Sequence, residues 1–326
     1  MRKLSTISKI TAAASLGSLL LTPITLAQES TNNNKTTGIE VSSPLYEFNL
    51  DPGDNQQDII KIKNVGNQKT TYYPIVVDFK SNNTDGTPVF LNVGEENSTY
   101  SLTKWIKFTQ EAVTLEPGKS EAFNFNITVP TNGEAGGHYG AILFSTEAAT
   151  VAGTGVGLIN QTGALILVRV SGDTKESATI TTFKTSKPNY PTTHDVKLNL
   201  TISNSGNVHV APKGNITITN IFGGKVAVIP VNEAGGNILP GSTRNFELAW
   251  KDLGFKIGLY KAKIDLVYGQ TSKTLSAQTS FWIIPWKAIG IASAVLVVLL
   301  VALFFAIRRY NAWIISRSKQ QSNSHE

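Results

Sequence analysis

From Val41 onward, apolar and polar residues alternate in short runs, each closed by a turn signal. Phe48 and Leu50 lead into Asp51-Pro52-Gly53, Ile60 and Ile62 lead into Asn64-Val65-Gly66-Asn67, and Tyr73, Ile75 and Val77 form the next run. A period of two places alternate side chains on one face of a strand. Proline presets the first central position of a turn and glycine accepts a positive φ at the second, so Pro-Gly reverses the chain. Strands of about six residues at roughly ten-residue spacing, with almost no helical period, predict an all-β fold built as an antiparallel, immunoglobulin-like β-sandwich.

The pattern occurs twice. "LEPGKSEAFNFNITV" (115–129) is echoed by "LPGSTRNFELAW" (239–250), and "KNVGNQ" (63–68) by "SNSGNV" (203–208). In each copy a strand ends in an Asn-Gly type turn, and a later Pro-Gly turn feeds a strand that alternates Phe with polar residues. This predicts two tandem sandwiches, over 40–173 and 179–284, joined by the short polar segment from Gly172 to Ser177. The first copy is longer because it carries insertions: a hairpin with its tip at Asp85-Gly86, and a glycine-rich loop over 149–160. Loops at the end of a sandwich are common binding positions, because the scaffold fixes their bases and leaves their tips free.

The two ends of the chain follow other patterns. Arg2, Lys3 and Lys9, then an apolar stretch from Ile10 to Leu26 with Thr25 and Ala27 before Gln28, have the three-part build of an export signal over 1–27. A polar, aperiodic leader over 28–39 is expected to be disordered. Residues 288–307 are apolar without a charge, and twenty helical residues at about 1.5 Å each span the roughly 30 Å of a bilayer's hydrocarbon core. Trp282 and Trp286 precede this span, and Tyr310 and Trp313 follow it, at the positions that amphipathic rings favour at the two membrane interfaces. Arg308, Arg309, Arg317 and Lys319 make 308–326 a basic tail, which predicts a single pass through the cell membrane with the bulk outside and the C-terminus in the cytoplasm.

Charge is informative only by region. The formal net charge is +6 and the pI about 9.3. However, three of the 29 basic residues precede Gln28 and five follow Pro285, while Glu326 is the one acidic residue of 23 outside that interval. The exported part is close to neutral, so the basic character belongs to topology and no nucleic acid is expected as a partner. The chain contains no cysteine. An exported chain without disulfides points to a bacterial surface protein whose domains are held by their cores.

No catalytic constellation emerges. The histidines are His138, His194, His209 and His325, with no Gly-x-Ser-x-Gly elbow or His-Glu-x-x-His helix for them to serve. Asp51, Asp54 and Asp58 lack the every-second-residue spacing of a calcium loop and read as a solvated turn, as do Glu95 and Glu96. No metal site, cofactor or catalytic residue is therefore expected. Asn-x-Ser/Thr sequons at Asn126, Asn199 and Asn215 lie in alternating strands, where Asn and Thr are the outward-facing residues. Leu239 to Thr243 is similar to part of a sortase signal but sits inside the repeated turn, so retention by an intact membrane helix is the expectation.

The segment "GGHYGAILF" (136–144) leaves two readings open. Tyr139, Ala141 and Leu143 fall on one face and His138, Gly140, Ile142 and Phe144 on the other, as in a strand covered on both sides. Alternatively, His138 and Tyr139 at the strand mouth, near Trp105, offer hydrogen bonds and an aromatic platform to a sugar or peptide. Together with "YSLTKWI" (100–106), "LEPGKS" (115–120), "VPTNGEAGGHYGAILF" (129–144) and "QTGALILVRV" (161–170), it resembles the N-terminal domain of the WxL-interacting cell-surface proteins over residues 40–172. That resemblance implies an immunoglobulin-like peptidoglycan-binding domain, a second β domain, a membrane helix and a basic tail. The expected function is binding of peptidoglycan or another envelope component through the first domain. The expected partners are a cell-wall glycan or an envelope protein, with the lipid bilayer around 288–307. The other reading is a non-catalytic scaffold of an envelope assembly, joined through exposed sheet edges.

Overall fold

A computed structural model describes residues 36–96, 99–147, 161–192, 194–251, 254 and 256–322. The export signal expected over 1–27, most of the leader and the loop at 149–160 lie outside these residues. Ten strands make up the first half: β1 (Ile39–Val41), β2 (Leu45–Leu50), β3 (Asn55–Asn64), β4 (Thr70–Ser81), β5 (Pro88–Phe90), β6 (Ile106–Phe108), β7 (Val113–Leu115), β8 (Ser120–Thr128), β9 (Gly136–Ser145) and β10 (Thr162–Val170). Eight more make up the second: β11 (Ala178–Thr185), β12 (Asn189–Tyr190), β13 (Val196–Asn204), β14 (Lys213–Asn220), β15 (Lys225–Val231), β16 (Thr243–Trp250), β17 (Gly258–Tyr268) and β18 (Lys273–Ile283). Helix α1 (Trp286–Ser322) follows.

In the first sandwich, sheet β1-β3-β8-β6 packs on sheet β2-β10-β9-β4-β5, with β7 paired to β4. Ile60, Ile62, Phe123, Phe125 and Ile127 from one sheet meet Ile142, Phe144, Ile166 and Val168 from the other, all essentially solvent-free. In the second sandwich, β11-β13-β16 packs on β12-β18-β17-β14-β15 around Leu198, Leu200, Ile216, Ile264 and Phe281. Two pairs depart from the antiparallel expectation. β2 runs parallel to β10 and β12 parallel to β18. Pairing between segments far apart in the chain is set by packing, not by turn chemistry, so local alternation does not determine it. The leader also departs from expectation at its end: Thr36 and Gly38 bond to the turn after β3, through Val65 N–H to Gly38 O (3.0 Å) and Asn67 N–H to Thr36 O (3.1 Å). These backbone partners order residues 36–38.

The repeated turns share one device. Asn64 and Asn204 are buried, and each amide nitrogen donates to two carbonyls: Gln68 (2.8 Å) and Leu115 (2.9 Å) in the first copy, Val208 and Ile238 (both 2.8 Å) in the second. Each Oδ1 accepts the N–H of the glycine two residues on, Gly66 or Gly206, at 2.9 Å. Each backbone carbonyl accepts the N–H of the Pro-Gly turn, from Gly118 at 2.8 Å and Gly241 at 2.9 Å. The two sequence echoes are thus two halves of one hydrogen-bonded unit, made twice.

α1 is 37 residues long, and its stretch Trp286–Ile315, whose most apolar 18 residues have a mean hydropathy of 2.9 and no burial against the rest of the chain, is long and apolar enough to cross a membrane. The helix does not stop at Arg308 but carries Arg308 and Arg309 in its body. Trp282 and Trp286, and Tyr310 and Trp313, are about half exposed, and the last two rings stack at 6.1 Å.

Candidate functional site

β9 is buried along nearly its whole length. Ile142 and Phe144 enter the main core, while Tyr139, Ala141 and Leu143 join a second cluster with Ile75, Val77, Phe79 and Leu167 on the other face of the sheet. That second face is covered by Phe90, Tyr100 and, from the second sandwich, Leu239. Where the pairing of β4 with β9 ends, at Asp78 opposite Gly140, the segment at Tyr100 and Ser101 takes its place along β9, with Tyr139 N–H donating to Tyr100 O at 2.8 Å.

His138 and Trp105 do come together, their rings 4.2 Å apart between centroids. The His138 Nε2 lies 2.9 Å from Glu134 O and Nδ1 3.3 Å from Ser101 O; both are acceptors, so a neutral ring donates to one of them, and the Nε2–H tautomer takes the shorter contact. Trp105 is partly exposed, and its carbonyl accepts Thr128 N–H at 2.9 Å beside β6. Tyr139 points to the opposite face, 2% exposed, with its ring 5.7 Å from His209 of the second sandwich. Burial pushes its hydroxyl far above the ordinary tyrosine range. Tyr139 therefore presents no aromatic platform to solvent, which corrects its expected role at the strand mouth: it is an interdomain packing residue.

The glycines before it have the same explanation. A Cβ on Gly137 would fall 1.8 Å from the Tyr139 hydroxyl, and Gly136, at φ +140, lies under Asn207 O. Gly137 N–H donates to that carbonyl at 2.7 Å. The Asn207 side chain in turn accepts Lys175 N–H (2.6 Å) and donates to Asp173 O (2.9 Å). The hairpin tip at 82–87 is also docked and not free: Asn245 N–H reaches Thr84 O at 2.6 Å and the Thr243 hydroxyl reaches Asn83 O at 3.0 Å.

The seam is completed by an ion pair. Arg169 on β10 bonds Glu176 Oε1 at 2.6 Å, and the same carboxylate accepts Gln270 N–H (2.9 Å) and the Thr271 hydroxyl (3.1 Å) from the β17–β18 turn. Burial alone would raise the Glu176 carboxyl, but Arg169 and these two donors outweigh it and hold it down to about 2.

A different surface has the character of a recognition face. Inward side chains of β3 and β8 fill the core, so Asn55, Gln57, Ile59, Lys61 and, across from them, Thr128, Asn126, Asn124 and Ala122 lie on the outer face in register. Lys107 on β6 extends the Gln57–Asn126 row. A depression of about 410 Å³ lies here, lined by Gln57, Ile59, Thr109, Asn124 and Asn126. Asn126 Nδ2 donates to the Thr128 hydroxyl at 3.2 Å, while its Oδ1 is buried without a hydrogen-bond partner. Ile59, 47% exposed, supplies an apolar contact in the middle. Each side-chain amide offers a donor and an acceptor together, which suits ligands dense in hydroxyl and acetamido groups. The sequence signal for this face is the Phe/Asn alternation of "FNFN" (123–126), legible as strand but not as a site.

Asp51 and Asp54 cap their own turn, with Asp51 N–H on Asp54 Oδ2 at 2.8 Å. Among the described residues no three His, Cys, Asp or Glu side chains converge as metal ligands.

Residues 28–146 match the family model described as WxL Interacting Protein, peptidoglycan binding domain. No curated protein matches the chain. Among solved structures it is similar to the Class 5 fimbriae chaperone CfaA, with TM-score 0.36 and 13% identity, over 76% of this chain and 100% of that one. It is similar also to the YadV chaperone (TM-score 0.34, 11% identity, 74% and 99% coverage) and to the Pseudomonas aeruginosa CupB2 chaperone (0.34, 8%, 75% and 100%).

Proposed function

We propose, from the match of residues 28–146 to the WxL Interacting Protein peptidoglycan binding domain, that the chain is a membrane-anchored, non-catalytic cell-surface protein that holds cell-wall glycan on the outer face of its β3–β8–β6 sheet. α1 is the anchor, with both sandwiches outside and the basic residues from Arg308 onward on the cytoplasmic side. The observation that carries the site is the in-register amide row Gln57, Asn124 and Asn126 around its 410 Å³ depression. Trp105, at the entry to β6, is partly exposed, bonds Thr128 at the end of β8 through its carbonyl, and packs its ring against His138.

Sedimentation of the full chain in detergent with purified peptidoglycan tests the reading. The wild type pellets with the wall, and a Gln57→Ala, Asn124→Ala double variant loses about tenfold in affinity, the order expected from removing two exposed polar contacts. Undiminished sedimentation of a folded double variant would move the site elsewhere.

One observation favours the scaffold reading for the second sandwich. β18 pairs with β17 throughout, but on its other edge only Trp282 and Ile283 meet β12, leaving Lys273 to Phe281 without a ladder partner among the described residues. Where β11, which lies close beside β18, does not shield it, we read that edge as a place for strand addition by an envelope protein. A proline at Gln278 would abolish capture of such a partner and leave wall sedimentation intact.

A further inference from the structure

The end of the second sandwich away from the first carries an apolar group that its core does not use. The β14–β15 hairpin turns at Ile221-Phe222-Gly223-Gly224, and Phe222 is 93% exposed and Ile221 66%. A tip of this kind is ordinarily polar. This one is also closed by hydrogen bonds. Asn220 Oδ1 accepts the N–H groups of Phe222 (3.0 Å) and Gly224 (2.8 Å), and its backbone bonds Gly223 and Gly224 at 3.0 and 2.9 Å. The two exposed apolar side chains thus sit on a turn closed by hydrogen bonds.

Register fixes where this tip lies. Asn220 pairs with Tyr260, and Tyr260 with Phe281, so the tip sits two strands across the sheet from Phe281, or about 10 Å. Phe281 is on the strand that leads into α1. Only Ile284 and Pro285 separate β18 from the helix, and Ile284 N–H is itself tied to Tyr190 O at 2.8 Å. Two residues reach at most about 7 Å, so this end of the sandwich is kept close to wherever α1 begins. Ile257, 56% exposed, and the half-exposed rings of Trp282 and Trp286 lie at the same end. Lys187, Lys225, Lys251 and Lys287 are exposed there as well, against one carboxylate, Asp195, in the described part of these loops.

We propose that this end is a membrane-contacting foot: Ile221 and Phe222 sit among the lipid headgroups beside the anchor, with the lysines on anionic phosphates, so that the sandwich stands on the bilayer instead of swinging from it. The inference rests on the reading of α1 as a membrane span. An apolar tip flanked by lysines and aromatic rings is the composition that favours the interfacial zone. Continuity with the helix selects lipid over a protein as the occupant.

The cysteine-free sequence allows single fluorophores to be placed at will. The full chain is reconstituted in nanodiscs of phosphatidylglycerol and acyl-chain-brominated phosphatidylcholine, carrying an environment-sensitive dye at Ile221→Cys, at Val298→Cys in α1, or at Lys119→Cys in the turn at the far end of the first sandwich. Bromine quenches the dye at Val298 and also at Ile221, the latter by at least about half as much, as for a group buried about 5–10 Å into the interface, while the dye at Lys119 is untouched. Quenching at Val298 but not at Ile221 overturns the foot and leaves the anchor standing. Absence of quenching at Val298 overturns both.

Discussion

Single buried side chains set how firmly each sandwich closes. Asn64 and Asn204 each connect the end of one strand, a glycine turn and the Pro-Gly turn, and replacing either by alanine removes three side-chain hydrogen bonds, although Gln68 O keeps the Thr70 hydroxyl and Ile238 O keeps Val210 N–H. Asn204→Ala should lower unfolding free energy by about 3 kcal/mol in denaturant titration, at the upper end for one lost polar residue. Tyr139 is the contrasting case. Its hydroxyl is buried without a hydrogen-bond partner of standard geometry, so Tyr139→Phe should leave stability within about 1 kcal/mol and leave wall binding unchanged. A large fall in wall binding would restore the ligand role that its burial argues against. The Asn-x-Gly-Asn spelling was legible as a turn in both copies. That the asparagine turns inward was not, because local turn chemistry is the same whether the side chain meets water or a carbonyl two strands away.

Among the elements, β9 was the most readable and the most ambiguous. Its two-sided apolar pattern is what a strand covered on both faces requires, and the two clusters meet it as the alternation predicts. What covers the second face is the segment around Phe90 and Tyr100 together with Leu239 of the second sandwich, and nothing within the strand spells that out. Gly137→Ala should cost about 2 kcal/mol or more, since a methyl group would displace the Tyr139 hydroxyl and with it the seam; thermal unfolding of the full chain measures it. β8 shows the converse. Its Phe/Asn alternation fixed which side faces the core, yet the row of amides becomes a face only once β3 is laid beside it in register. α1 was legible from composition alone, because twenty apolar residues without a charge have few alternatives. The parallel pairing of β2 with β10 was not, being a contact between segments more than a hundred residues apart.

On the scale of the whole molecule, the two sandwiches are fastened by the tip at 82–87, the Asn207 contacts and the Arg169–Glu176 pair. Glu176 has a carboxyl held near 2, against an ordinary value of 4.5. A depressed value means its contribution is complete above the ordinary one and disappears as pH falls towards 2. The fastening should therefore weaken between about pH 4.5 and 2, and Glu176→Gln should remove that part of the pH dependence while lowering the melting temperature at pH 7. On the proposed reading of α1 as the anchor, the seam and the short tether would hold the first sandwich on the far side of the second from the membrane, with its amide face available to the wall. The most direct test of that arrangement places a photo-reactive benzophenone residue at Asn124 or, as a reference, at Thr217 in the second sandwich, irradiates intact cells and identifies the adducts by mass spectrometry. Muropeptides are expected to be joined at Asn124 and absent at Thr217; muropeptides at Thr217 alone, or at neither position, would contradict glycan binding on the β3–β8 face.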